Sequence, residues 1–265
     1  MDTGILQYKL VRPGLLKEII WLDEVSSTND YSATRKLVSD TLVITDNQTG
    51  GKGRFGRVWY STPGKNISMS LVKSFRIGVD EIHNVGFYTS LKLLESILKT
   101  HAHLDEQLAL KWPNDLMLNG RKAAGLLMDC RDLKSPVKKI TLGIGLNVNE
   151  SEFDGELRHK ATSLFAETGS ESDLEGQIVS FVNEFYSGID LISNTRGLME
   201  KWRNRCCHIG MPVRFRLLTD GEEKNGIARD IGNDGSLKLE TEDGKLVSYY
   251  SGEISLILSG MNVGT

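Results

Sequence analysis

Positions 50–59 read Gly50-Gly51-Lys52-Gly53-Arg54-Phe55-Gly56-Arg57-Val58-Trp59, which sets three cations among four glycines. That mixture suits anion binding. Glycine lets backbone N–H groups come close to a ligand, and Lys52, Arg54 and Arg57 supply charge for a phosphate or carboxylate. Read alone, the run fits a flexible, solvated basic loop equally well. A second chemical stretch is 108–129. Leu108, Leu110 and Trp112 alternate with Ala109 and Lys111, Pro113-Asn114-Asp115 breaks the run, and Asn119-Gly120 signals a two-residue type I′ hairpin. The stretch reads as strand, turn, strand, hairpin, strand, with Lys111 near a strand end. A lysine there ordinarily stands on a solvated edge.

These residues need elements to hold them. Ser27 or Thr28 caps a helix reaching to about Val38, and Leu42 to Thr45 is a strand entering the glycine loop. Asn66 to Val72 alternates as a strand. Ile82, Val85, Phe87 or Tyr88, Leu91, Leu94, Ile97 and Leu98 mark one face of a long helix, and Ile178, Val182, Phe185, Ile189 and Ile192 mark another. Along 140–149 the apolar Ile140, Leu142, Ile144, Leu146 and Val148 alternate with Thr141, Gly143, Gly145, Asn147 and Asn149, a small, polar face. Either a ligand or another part of the chain can lie close against it, and Ala123 and Gly125 admit the same two readings. Residues 150–176 are polar and read as short elements and loops. From about Cys207, short strands at 213–218, 226–230, 236–240, 245–250 and 254–258 are separated by turns such as Asp220-Gly221 and Asp243-Gly244, the pattern of a small antiparallel barrel. The chain is therefore α+β, a mixed sheet with packed helices followed by a small barrel, divided into 1–206 and 207–265.

Composition narrows the class. A chain of 265 residues can bury a full core, and a net charge of −3 does not favour broad nonspecific binding to nucleic acid. No apolar run approaches the ~20 residues of a membrane span, and the N-terminus lacks a basic, then apolar, leader. Cys130, Cys206 and Cys207 lack Cys-x-x-Cys spacing and fit thiols of a reducing compartment, so a cytoplasmic location is expected.

The two chemical stretches, in this order, resemble the biotin protein ligases. The resemblance rests on the 51–59 loop, Lys111-Trp112-Pro113-Asn114-Asp115 and Gly120-Arg121-Lys122-Ala123-Ala124-Gly125. It extends to Ser27-Thr28-Asn29, Gln48, Ala161-Thr162-Ser163-Leu164, Gly143-Ile144-Gly145-Leu146-Asn147-Val148-Asn149 and Gly252-Glu253-Ile254-Ser255-Leu256. It spans about Trp21 to Leu258. It implies a class II aminoacyl-tRNA synthetase-like catalytic fold with an SH3-like C-terminal barrel. The implied activity is ATP-dependent formation of biotinyl-5′-adenylate and transfer of biotin to a lysine of a biotin carboxyl carrier domain, with Mg²⁺ on the phosphates. Two anions must meet, and at ~4 Å with an effective dielectric of ~20 each unit pair repels by ~4 kcal/mol, so placed cations are required.

The resemblance assigns Lys111 and Arg54 to catalysis. Biotin falls to Ser27, Thr28, Asn29, Gln48, Lys52, Gly53, Arg54, Lys111, Gly125, Gly143 and Gly145, whose polar members suit the ureido group. ATP or adenylate falls to Gly51, Lys52, Arg54, Arg57, Trp59, Lys111, Asn114, Lys122 and Asn147. No residues are assigned to a metal. Lys52 stands where many relatives have arginine, which keeps charge but loses bidentate geometry. About twenty residues precede Trp21, too few for the helix-turn-helix module of repressor members, so a ligase that binds no DNA is expected. Family habit also allows a homodimer. A lipoate ligase, a nucleic-acid-binding module using the basic loop, and a regulatory biotin binder remain alternatives.

Overall fold

The alternating segments of the N-terminal half pair into one mixed sheet. Residues 3–217 and 222–257 are described by the structure, a computed structural model. The strands are β1 (Glu18–Val25), β2 (Thr41–Gln48), β3 (Ile67–Phe75), β4 (Leu108–Lys111), β5 (Asp115–Leu118), β6 (Arg121–Cys130) and β7 (Lys138–Leu146), in the order β1-β2-β3-β7-β6-β5-β4. β1 and β2 are parallel, and all other neighbours are antiparallel. Asn119 and Gly120, at φ 48° and 74°, make the turn between β5 and β6. This left-handed pair is what a type I′ hairpin requires.

The helices are α1 (Thr3–Leu6), α2 (Thr28–Thr34), α3 (Ile82–Thr100), α4 (Leu164–Thr168), α5 (Leu174–Ser187) and α6 (Thr195–Asn204). Leu91, Leu94 and Ile97 of α3 and Phe181, Val182 and Phe185 of α5 share one core with Met69, Leu71, Leu142 and Ile144 of the sheet. Burying each such side chain contributes roughly 1.5–3 kcal/mol, so this face carries most of the stability. The opposite face presents the alternate residues Ser68, Ser70, Gly143 and Gly145, and there α2 packs on β2, β3, β6 and β7. One face is thus spent on stability, which leaves the other for chemistry.

Two helix ends differ from the sequence expectation. α2 stops at Thr34 rather than near Val38, because Thr34 Oγ1 bonds back to the Asp30 carbonyl at 2.7 Å and Arg35 turns extended to lay its guanidinium over the Tyr31 ring. α5 stops at Ser187, since Gly188 leaves helical geometry, and Ile189–Ser193 forms a separate 3₁₀ turn. β7 likewise ends at Leu146, where the chain departs to bond with Ala123, Asn66 and Lys65.

The C-terminal strands β8 (Pro212–Arg216), β9 (Glu223–Ile231), β10 (Leu237–Thr241), β11 (Leu246–Tyr249) and β12 (Glu253–Leu256) form an antiparallel sheet in the order β11-β10-β9-β8-β12. Phe215 and Tyr249 lie on non-neighbouring strands, yet their rings are 4.1 Å apart, so the sheet rolls over itself as a small barrel does. The expected ends at Leu218 and Leu258, and the Asp220-Gly221 turn, lie outside the described residues. This unit is tied to the first by Trp112 Nε1, which donates to the Gly235 carbonyl at 2.9 Å, and by the linker 205–207, which pairs with Leu110 of β4. Among the described residues, no helix is long and apolar enough to cross a membrane.

Candidate active site

The sheet register assembles a site that local sequence patterns cannot show. Thr45 pairs with Ser68, Ser68 with Gly145, Gly145 with Gly125, Gly125 with Asp115, and Asp115 with Lys111. Residues directly opposite share a face, so one row runs from hydroxyls through two glycines to a carboxylate and an ammonium. The glycines form its floor.

At the hydroxyl end sits α2. Ser27 caps it by accepting from Asp30 N at 3.4 Å, and Gln48 Oε1 accepts from Thr28 N at 3.0 Å and Thr28 Oγ1 at 3.3 Å. Ser70 Oγ lies 2.9 Å from Thr28 Oγ1 and 3.3 Å from Asn29 Oδ1. Ser27, Thr28 and Asn29 are all buried. A Cβ on Gly143 would lie 2.7 Å from Asn29 Oδ1, so Gly143 admits α2 to the sheet.

The glycine loop folds over the middle of the row. Lys52 bridges Val58, Gly53 N donates to the Arg57 carbonyl at 2.8 Å, and Trp59 N donates to the Gly51 carbonyl at 2.8 Å. A Cβ on Gly51 would lie 2.4 Å from the Trp59 carbonyl oxygen, and only glycine closes this crossing. Phe55 holds a left-handed φ of 58°, strain of a kind that collects at functional loops. Trp59 drops its indole onto the floor, so that a Cβ on Gly145 would lie 2.3 Å from the ring and one on Gly125 3.2 Å. The close approach foreseen for Gly125, Gly143 and Gly145 is therefore made by side chains of the protein itself.

Charge is concentrated at the far end. Asp115 lies 3.6 Å from Lys111 Nζ and 2.6 Å from Lys122 Nζ. Lys122 also reaches over Gly125 and stands 5.7 Å from the centre of the Trp59 ring. Lys111 is not the solvated edge lysine that alternation alone suggests. Its side chain is only 17% exposed, because the linker 205–207 covers β4. Arg54 donates to Asn114 Oδ1 at 3.2 Å, and Asn114 Nδ2 is held by the Leu126 carbonyl at 2.6 Å. Burial lowers the pKa of Arg54 from its ordinary value, with Asp115 and Glu253 opposing.

The other loop cations are anchored outward. Lys52 pairs with Asp30 at 2.6 Å, and Arg57 makes two hydrogen bonds to the Glu253 carboxylate in β12. Burial raises the pKa of Glu253, but the bonds and charge of Arg57, helped by Lys111, hold it below the usual carboxylate value. Behind Lys111, His208 is fully buried, and burial together with the lysine charge pushes its pKa down to about 3. Asn147 is also buried, and its amide donates to the Thr162 carbonyl at 2.9 Å, so that donor is committed within the protein.

The sequence reading missed Asp30, Asp115, Glu253 and Ser68 as site residues. The first three lie within or beside its motifs, and the signal was charge: each cation needs an acceptor. Ser68 carried only its place in an alternating strand. Five buried side-chain polar atoms lack a partner among the described residues, and three of them, Trp59 Nε1, Ser61 Oγ and Ser68 Oγ, fall within 59–68. Burying such atoms unpaired is costly, so they mark a place built for something else.

The Biotin/lipoate A/B protein ligase family model matches residues 21–147, and the Biotin protein ligase C terminal domain model matches residues 208–257. The bifunctional ligase/repressor BirA of Bacillus spizizenii is 30% identical over 274 residues, taking in 96% of this chain and 80% of that protein. The biotin–[acetyl-CoA-carboxylase] ligase of Mycobacterium tuberculosis is 31% identical over 220 residues, 82% of this chain and 79% of its own length. Among solved structures, the biotin protein ligase from Aquifex aeolicus in complex with biotin and ATP is similar with a TM-score of 0.77 at 24% identity, covering 92% of this chain and 100% of that one. That likeness speaks for the fold, and the identities to the curated relatives speak for descent. On those identities this chain belongs to the biotin protein ligase family.

Proposed function

We propose that this ligase joins biotin to ATP as biotinyl-5′-adenylate and then passes the biotinyl group to a lysine of a biotin carboxyl carrier domain. In the first step a biotin carboxylate oxygen attacks the α-phosphorus, the bond to the β-phosphate oxygen breaks, and pyrophosphate leaves. In the second, the carrier amine attacks the acyl carbon, AMP leaves with the bridging oxygen, and the amine loses a proton. The observation that carries this reading is the cross-strand row, which ends a glycine floor in Asp115 flanked by Lys111 and Lys122. Arg54 adds a third cation. Fixed cations stabilise the charge that builds as two anions meet, and they need not reorganise to do so.

A net charge of −3 does not favour the reading of the loop as a nucleic-acid surface. Mg²⁺ enters as part of the nucleotide substrate. An ion brought in this way is held mainly by phosphate oxygens and water. We place the division between the units at 206/207, in the linker between α6 and β8.

The test is to incubate the protein with ATP and Mg²⁺ plus either biotin or lipoate, and to detect acyl-adenylate by mass spectrometry. Biotinyl-adenylate is expected. Lipoyl-adenylate in its place would overturn the assignment.

A further inference from the structure

We propose that Glu167 of α4 is a positioning residue for adenylation, which holds the segment 160–162 beside β6 and through it fixes the Lys122 ammonium on Asp115. The inference rests on the ligase reading above and adds a residue outside the cation cluster itself.

The need for a brace follows from the sheet. β7 pairs with β6 only as far as Leu146 opposite Ala124, so β6 loses that neighbour two residues short of Lys122. Another segment takes its place. Lys122 N donates to the Lys160 carbonyl at 2.8 Å and Thr162 N donates to the Lys122 carbonyl at 2.9 Å, which sets Ala161 beside Lys122 as a parallel partner. On its other side Lys122 pairs with Met117, next to a bulge that leaves Ala123 out of the ladder with β5. The backbone carrying this lysine therefore depends on 160–162.

Glu167 fastens that segment. One of its carboxylate oxygens accepts from Thr162 Oγ1 at 2.5 Å and from Arg121 at 2.5 Å, and the other accepts from Asn119 Nδ2 at 2.6 Å. The loop is thus tied to the tip of the β5–β6 hairpin. Thr162, itself fully buried, also takes the Asn147 amide on its carbonyl, so one residue gathers α4, β6 and the chain that leaves β7. The Glu167 side chain is only 9% exposed, and burial raises its pKa, but the bonds from Thr162 and Asn119 and the charge of Arg121 hold it below the usual carboxylate value. A well-packed apolar side chain would hold a loop at least as firmly, so a buried charge here is better explained by the geometry it fixes than by the stability it adds. A cation stabilises developing charge only where it is already held in place.

The experiment is a double-mutant cycle on single-turnover formation of biotinyl-adenylate. Glu167→Ala is expected to slow the reaction about tenfold, less than the ~10²-fold that a misplacement of about 1 Å can cost, and to add no further loss to Lys122→Ala. Glu167→Gln, which can still accept from Thr162, should keep more of the rate than Glu167→Ala. Thr162→Val deletes one bond of the network with little change of shape and should be slowed in the same Lys122-dependent way, which keeps the proposal testable if Glu167→Ala does not fold. Equal slowing by these variants with and without Lys122 would overturn the proposal, because a general structural defect acts whatever residue stands at 122. Normal rates in both Glu167→Ala and Thr162→Val would overturn it too. Absence of biotinyl-adenylate from the wild type would instead overturn the proposed function, and this role with it.

Discussion

Trp59 and Gly145 exclude one another's substituents: a Cβ on Gly145 would lie 2.3 Å from Cε2 of the indole. The last residue of the glycine loop and the centre of the sheet floor are therefore one structural feature. Whatever lifts Trp59 also opens the floor, and whatever fills the floor lifts Trp59.

Replacing Gly145 with alanine should consequently evict the indole rather than merely narrow a pocket. Trp59 emission should shift to the red, with Trp59→Phe as the control for the other tryptophans, and adenylation should fall by ~10²-fold through misplacement of the loop. The backbone of β7 has no positive φ, so the fold should survive. An unshifted spectrum with normal adenylation would show that the indole and the floor are independent.

The two lysines on Asp115 should both matter, for different reasons. Lys122 reaches across Gly125 toward Trp59, whereas Lys111 lies at the seam with the C-terminal sheet and adds its field to that of Lys122. Each alanine variant should lose ~10²–10³ in single-turnover adenylation, the usual cost of removing one preorganised charge contact. Near-normal adenylation in Lys111→Ala, with loss in Lys122→Ala, would remove Lys111 from the catalytic role and leave it a structural partner of Asp115.

What the sequence revealed and what it hid divide along the range of the interaction. The hairpin at Asn119-Gly120 and the two faces of β7 were legible, because turn chemistry and two-residue alternation are local. So were the cations and glycines of the loop, whose types alone suggest an anion. Helix ends were not: α2 is cut short by side-chain hydroxyl bonding and α5 by Gly188. Nor were the acceptors. Arg57 finds Glu253 196 positions away, and Asp115 meets Gly125 only through a register shifted by a bulge between Leu116 and Met117.

Acid should weaken the fold through His208. Its folded pKa of about 3 lies below the ordinary ~6.5, so above pH 6.5 neither state is protonated and stability is whole. Between 6.5 and 3 the unfolded chain binds a proton that the folded chain refuses, so stability declines as pH falls. From pH 6.5 to 4.5 the loss should be ~2 kcal/mol by linkage. The depressed carboxylate Glu253 acts lower, losing its contribution as pH falls through its folded pKa. Thermal melts of His208→Gln should show a flatter slope than wild type between pH 6.5 and 4.5, whatever its absolute stability. Equal slopes would mean that His208 is protonated in the folded protein.

Retention of the adenylate should depend on how the loop is tied down. Three contacts hold it at its polar points: Lys52 to Asp30, Arg54 to Asn114, and Arg57 to Glu253. The Lys52–Asp30 and Arg57–Glu253 pairs lie near the surface and are each worth only about 0–1 kcal/mol, and Phe55 adds left-handed strain, so the free loop should open readily. An adenylate phosphate beneath Arg54 would supply the missing ordering energy, and Trp59 would keep water from a hydrolysable mixed anhydride. Arg54→Gly should therefore still form some adenylate but release it, biotinylating bystander proteins indiscriminately. Glu253→Gln keeps the phosphate contact and weakens only the outer tether, so it should raise loop exchange without that leakage. Hydrogen exchange over 49–59, with and without a nonhydrolysable adenylate analogue, measures the closure directly. Strong protection only with the analogue supports a closing loop; equal protection in both states would show one already formed and sink the retention mechanism.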